Sequence, residues 1–560
     1  MQSRLYSSSN NNSGSGSAAA APGQEPRDKP YYVTTPIFYV NAAPHVGHLY
    51  SMVLADVLKR WQVLKGEPAI LCTGTDEHGM KVQQAAQQQN MLPKALCDVN
   101  SQTFRDLAVT AKLDNDHFVR TTDPDHRAAV QYFWERLVDS GYIYEKTHAG
   151  YYCVSDETFY PEDLVALHHD GMTGKVQHVS TETGNVVEWT EERNYYFRLT
   201  ALRERLLEFF AQNPEWVTPP SRMAEVVEWV KNHLEDLSVS RPLSRLDWGI
   251  PVPGDESQTI YVWVDALVNY LTMAGYPLLP PGEEHKGGWP ADVHVVGKDI
   301  VRFHCVYWPA LLMAVGLPLP KRVLSHGHWL MDNRKMSKSV GNVVNPFFAI
   351  ERYGLDTIRY FLMLRGTITH DPDYSNLHIV QAYKKGLQTG LGNLVSRLTK
   401  GRAWSVRTAV QNRQPHGLTD AEPSGSLYRV QWQHAESIRG IAEEHMVALA
   451  PPTALRRIMD VIFETNKYMA HTEPWALAKD GNIEETEKVI YLIAESVRIA
   501  AILLQPFIPD KAVEILDRLG VRADRRGFEY AQIRADDAYG MDSADRKGDE
   551  ALFPPLPIED

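Results

Sequence analysis

Pro44-His45-Val46-Gly47-His48 places two imidazoles three residues apart, where an extended apolar run gives way to a helical one. A helix N-terminus carries unpaired N–H groups and the positive end of the aligned peptide dipoles, a seat for phosphate. Residues three apart share a face of its first turn. Gly47 leaves room for a flat base to approach the backbone. Far downstream, Lys335-Met336-Ser337-Lys338-Ser339 lies between the turn-formers Asp332-Asn333-Arg334 and Gly341-Asn342. That spacing predicts a loop whose two ammonium groups close on phosphates when a nucleotide is bound. Imidazole donors on one side and mobile cations on the other suit displacement at phosphorus, which is mostly positioning and charge stabilisation. Either string alone also reads as a capped helix or a solvated basic turn. Their joint occurrence, in this order, favours a nucleotide site.

These strings need elements to hold them. Tyr31 to Tyr39 is β-branched and aromatic, a buried strand. Leu49, Val53, Val57 and Trp61, with Leu54 and Leu58, then recur at helical spacing up to Gly66, and Pro68 to Cys72 reads as the next strand. Strand, helix and strand in about forty residues make a βαβ unit and a parallel sheet. A second unit follows much later: strand Val293 to Val296, a stripe of Ile300, Phe303, Tyr307, Leu311 and Ala314, and strand Arg322 to Ser325. The pattern predicts an α/β, doubly wound parallel-sheet (Rossmann-type) domain with an insertion at a crossover, and then an α-helical bundle, since strands cease after about residue 380. The divisions are 1–29, a Ser/Asn/Gly/Ala tail; 30–140 and 246–345, the two sheet halves; 141–245, the insertion; 346–385, a linking region; 386–545, the bundle; and 546–560, a second tail.

At 560 residues, with ~100–200 per domain, several domains are expected. The 57 basic and 70 acidic residues sum to −13, the wrong sign for a general coat on polyanions, so nucleic-acid binding must be local. Cys72, Cys97, Cys153 and Cys305 are far apart and build neither a disulfide framework nor a four-cysteine zinc module, which points to a reducing compartment. The greasiest stretch, Tyr491 to Leu504, is broken by Glu495, Ser496 and Arg498, so no membrane span is expected. The tail, acid-free before Glu25 and carrying Arg4, is similar to an organellar transit peptide, a plain solvated tail being the alternative.

The histidine pair and the lysine string resemble the HIGH and KMSKS signatures of class I aminoacyl-tRNA synthetases. Thr34-Thr35-Pro36-Ile37-Phe38-Tyr39-Val40-Asn41, Gly74-Thr75-Asp76-Glu77-His78-Gly79, Tyr261-Val262-Trp263-Val264-Asp265-Ala266-Leu267 and Gly297-Lys298-Asp299-Ile300-Val301-Arg302-Phe303-His304 narrow the resemblance to the methionyl-tRNA synthetases, from about Tyr31 to beyond Trp475. The resemblance implies ATP-dependent activation of L-methionine and its transfer to tRNA(Met), with Mg²⁺ accompanying the nucleotide. His45, His48, Lys335 and Lys338 would be catalytic, with Gly47, Met336, Ser337 and Asp299 also at the ATP. Asp76 would hold the ammonium, and Ile37, Tyr39, Trp263, Ala266, Leu267, Tyr270, Ile300 and His304 the thioether side chain. By residue type alone, each of these pocket positions is plain core and Asp76 a turn residue. Asn393, Arg397 and Trp475 would read the anticodon, Trp475 otherwise being a core ring at a helix junction.

The insertion departs from the zinc-bearing branch of that family: Cys153-Val154-Ser155-Asp156 keeps one cysteine, and no pair follows. No structural zinc is expected, a trait similar to organellar and some bacterial members. The insertion is also too short for the editing domain of the isoleucine, valine and leucine enzymes. A mitochondrial-matrix monomer is expected, a cytoplasmic location being the alternative. The rivals are a synthetase for another amino acid, cysteine first, and a synthetase-derived RNA-binding protein with a dead site. Missing zinc ligands weigh against the former, intact histidines and lysines against the latter.

Overall fold

Tyr31–Tyr39 (β1) is buried without a break from Tyr32 to Pro36, as a strand covered on both faces must be. In the computed structural model, which describes residues 28–156, 158–169, 176–331, 333–336, 342–412, 418, 422–423, 425–541 and 550–556, β1 is central to a six-stranded sheet. The other strands are Ala69–Asp76 (β2), His117–Arg120 (β3), Val217–Thr218 (β4), Val293–Gly297 (β5) and Val323–His326 (β6). Their order is β3-β2-β1-β5-β6-β4, and every pairing is parallel. The strand order reverses between β1 and β5, and open parallel sheets bind ligands in the crevice beyond the carboxyl ends at such a point. The second expected strand is longer than its sequence signal: β2 runs on to Asp76, which is its last residue rather than one beyond it.

Val46–Leu64 (α1) follows β1. Unlike a surface helix it is buried on most sides, including Asp56 and Lys59. One side lies on the sheet, and the other meets the helical half of the molecule. Asp56 Oδ2 accepts from Arg359 Nη2 at 2.6 Å, with both side chains fully buried. Arg359 also donates to the carbonyls of Pro506 (2.8 Å) and Phe507 (3.1 Å). Further along α1, Trp61 Nε1 donates to Glu443 at 2.5 Å, and Lys65 pairs with the same carboxylate at 2.6 Å. One buried apolar cluster runs from Leu54 and Val57 through Phe361 and Leu362 to Leu455, Ile490 and Leu503, so helical half and sheet share a core.

The insertion is built on the antiparallel pair Ile143–Cys153 and Glu188–Phe197. At its tip Asp156 accepts from Cys153 Sγ (3.1 Å), Tyr160 Oη (2.9 Å), Thr183 Oγ1 (2.6 Å) and Asn185 Nδ2 (2.7 Å). Burial and the Asp156 carboxylate push the Cys153 thiol up to about 12, so it is a thiol donor within this network. All four cysteines are buried and free.

Pro124–Asp139 (α2) and Val262–Thr272 (α3) pack together beside the sheet. Beyond it, Leu355–Arg365 (α4) carries Arg359. The next helical stretch is three joined pieces: Asn376–Ala382, a π-helical segment Tyr383–Gly392, and Asn393–Lys400 (α5). Then come Leu427–Val447 (α6), Pro451–Thr472 (α7), Pro474–Lys479 (α8) and Ile483–Leu504 (α9). Among the described residues no helix is long and apolar enough to cross a membrane.

Candidate active site

His45 is the N-cap of α1. Its side chain accepts from Gly47 N–H at 3.1 Å, while His48 Nδ1 accepts from His45 N–H at 3.1 Å. This is a capping box made of imidazoles where Ser and Glu usually serve. A backbone N–H can only donate, so both Nδ1 atoms are acceptors and each neutral ring carries its hydrogen on Nε2. The rings stack at 3.8 Å, and Phe38 and Phe104 back His48 at 5.0 and 5.2 Å. Nε2–H is therefore the donor atom of each stacked ring. A Cβ on Gly47 would come within 2.9 Å of the His45 ring, so the glycine first serves this folded-back cap, a local reason that its spacing did not disclose.

β1 and β2 run side by side to their ends, where Tyr39 pairs with Asp76. Asp76 is 3 % exposed, and Lys81 lies over the Tyr39 ring at 4.9 Å. Across the crevice, β5 ends at Gly297 and leads into the turn Lys298–Ile300 and a π-helical turn, Phe303–Tyr307. Turns of this kind recur at functional sites. Trp263, at the start of α3, stacks on Phe303 at 3.7 Å and stands edge-on to His304 at 6.2 Å. Ile37, Tyr39, Trp263 and Ile300 are half-buried around a cluster that includes Leu267 and Tyr270. Ala266 is buried beside Leu267 on α3.

The polar groups of this pocket are ordered in direction. His304 Nδ1 donates to Ile300 O at 2.9 Å, which makes Nε2 the acceptor of the Tyr270 hydroxyl at 2.8 Å. Burial lowers His304 to about 4 and raises the Tyr270 phenol, so both stay neutral at physiological pH. Behind them Trp308 donates to His294 Nε2 at 3.3 Å, leaving His294 Nδ1 to donate to Thr34 Oγ1 at 2.7 Å.

Asp299 is half-exposed, with Oδ1 3.0 Å from His328 Nε2. His326, at the end of β6, donates from Nδ1 to Gly327 O (2.9 Å) and accepts from Ser51 on α1 (2.8 Å); burial lowers it to about 4. These histidines escaped the sequence reading, although Ser325-His326-Gly327-His328 repeats the strand-end pattern of the first motif.

The lysine string is not wholly a loop, as Arg334–Lys335 pairs antiparallel with Leu330–Met331. Met336 is buried; Ser337 and Lys338 lie outside the described residues, as does the Lys335 side chain. Just beyond, Val344 O accepts from Val46 N at 3.1 Å, so this segment returns to the first turn of α1. On the helical half, Asn393 and Arg397 are exposed on α5, and Trp475 is 42 % exposed on α8 with the Arg397 guanidinium over its ring at 5.1 Å. A cavity of about 590 Å³ lined by Phe209, Trp216, Met313 and Leu317 contains none of these groups.

The family model described as tRNA synthetases class I (M) matches residues 31–399, and that of the anticodon binding domain of methionyl tRNA ligase matches 435–536. The chain belongs to the methionyl-tRNA synthetase family of class I. A probable mitochondrial methionine–tRNA ligase of Neurospora crassa is 55% identical over 540 residues, covering 96% of this chain and 86% of its own. The mitochondrial methionine–tRNA ligase of Homo sapiens is 41% identical over 522 residues, 90% of this chain and 86% of that one. The Mycobacterium tuberculosis methionyl-tRNA synthetase in complex with methionyl-adenylate superposes with a TM-score of 0.83 at 38% identity, covering 94% of this chain and all of that one.

Proposed function

We propose that the chain is a methionine–tRNA ligase. It joins methionine to ATP as methionyl-adenylate with release of pyrophosphate, then passes methionine to the 3′ end of tRNA(Met). The observation that carries this reading is the imidazole cap of α1, which holds two Nε2–H donors at the mouth of the β1/β5 crevice.

The methionine carboxylate attacks the α-phosphorus in line, and the bond to the bridging oxygen of pyrophosphate breaks. His45 and His48 donate to the phosphate oxygens as their charge grows, and Lys335 and Lys338 balance the leaving pyrophosphate. Gly47, Met336, Ser337 and Asp299 line the nucleotide. Mg²⁺ arrives with the triphosphate and supplies further charge neutralisation. Asp76, buried at the carboxyl end of β2, takes the ammonium. The thioether lies among Ile37, Tyr39, Trp263, Ala266, Leu267, Tyr270, Ile300 and His304, where S–aromatic contacts contribute about 0.3–1.5 kcal/mol each. Neutral His304 and Tyr270 make that pocket polar but uncharged, which suits a thioether and disfavours an ionised side chain. A hydroxyl of the terminal ribose then attacks the adenylate carbonyl and AMP leaves.

Asn393, Arg397 and Trp475 read the anticodon by edge contacts and stacking. The enzyme works as a monomer in the mitochondrial matrix, and its insertion closes on the Asp156 hydrogen bonds rather than on zinc. ATP–pyrophosphate exchange measured with each of the twenty amino acids tests the activity: stimulation by methionine alone is expected, and none with methionine would end the reading. Metal analysis of the purified chain showing one zinc per molecule would end the zinc-free assignment.

A further inference from the structure

Asp265 stands between Trp263 and Ala266 on α3, yet its own carboxylate is spent elsewhere. It is 1 % exposed and is divided between two imidazoles: Oδ2 lies 2.7 Å from Nδ1 of His78, and Oδ1 lies 2.8 Å from Nε2 of His126. Both rings are buried. His78 comes two residues after Asp76, and its ring packs edge-on against Trp248 at 5.6 Å. The Trp248 indole donates to Glu77 O at 2.5 Å, which pins the same short segment again. His126 is in the first turn of α2, and its Nδ1 returns to Thr272 Oγ1, at the far end of α3, at 3.0 Å.

Three separate elements therefore meet on one dry carboxylate: the end of β2, the start of α2 and the pocket helix α3. A buried carboxylate is costly unless its partners are held in place, and an apolar side chain would fill the same volume without that cost. What it adds is direction. Each of its bonds fails if an element slides by about an ångström. The two elements it joins are those that carry, on the reading above, the ammonium site and the side-chain pocket of one amino acid.

We infer that Asp265, through His78 and His126, is a positioning residue that sets the separation between the Asp76 carboxylate and the methionine pocket. This rests on the proposed function, and the two fail in different ways. In ATP–pyrophosphate exchange with the full chain, Asp265→Asn keeps the shape but removes the shared charge. It should raise the KM for methionine about tenfold or more, because misplacement near an ångström is felt at that scale, while the KM for ATP stays within about threefold. The inhibition constant of 4-(methylthio)butanoate, which fills the pocket but has no ammonium, should not change. His126→Gln, which retains one donor toward Asp265, should show the same selectivity at smaller size. It carries the test if Asp265→Asn fails to fold. An unchanged methionine KM in a folded variant, a parallel rise for ATP, or equal weakening of the des-amino ligand would overturn the positioning role. Absence of methionine-dependent exchange in the unaltered chain would instead overturn the function itself.

Discussion

Trp263 and Trp475 are the same residue put to opposite uses. Trp263 lies half-buried over Phe303 at 3.7 Å, in a pocket where His304 already bonds Tyr270 and the Ile300 carbonyl. Trp475 is 42 % exposed at the start of α8, with the Arg397 cation laid over its face. The first belongs to a site whose shape exists before any ligand arrives, which suits selection of a small apolar side chain. On the proposed reading, the second is a platform for stacking an unpaired base that comes from solution. What joins the two regions is not a loop but a buried ion pair and a shared core.

That link offers the largest test. Arg359→Met takes one of two guanidinium partners from buried Asp56, which keeps Arg60, and removes the donor to the Pro506 and Phe507 carbonyls; it should lower stability by about 3–5 kcal/mol in thermal or urea unfolding. A loss under about 1 kcal/mol would mean that the two regions fold without this pair. Next, His48→Ala or Lys335→Ala should slow methionine-dependent exchange by ~10²-fold or more, with tRNA affinity kept. Near-normal exchange in either variant would remove that side chain from the chemistry and leave His48 as a helix cap alone. The smallest and most selective effect belongs to Trp475→Ala. Charging of tRNA should weaken by the worth of one stacked base, about 1–3 kcal/mol, while exchange stays normal. Equal loss in both assays would erase the contrast between pocket and platform.

Much of the fold was legible because its signals are local. The β-branched and aromatic run of β1, the helical stripe of α1 and the break at Gly66 state their own geometry. The lysine string was read as a plain loop because a pairing of two residues with Leu330–Met331 has no sequence period to detect. Likewise, Tyr383–Gly392 is a π-helical segment inside a stretch that reads as ordinary helix, since a shift of hydrogen-bond partner leaves the residue types unchanged. That Gly47 also leaves room for the folded-back His45 ring is a matter of cap geometry, which residue types alone do not state.

Chemistry-bearing strings and the order of elements were present in the chain as written, because they depend on residue type and near spacing. Direction and distance were not. That His304 accepts from Tyr270 rather than donating, and that Asp265 serves His78 and His126, depend on atoms far apart in sequence. A hydrogen bond is defined by angle and by tenths of an ångström. Only the packed molecule sets those.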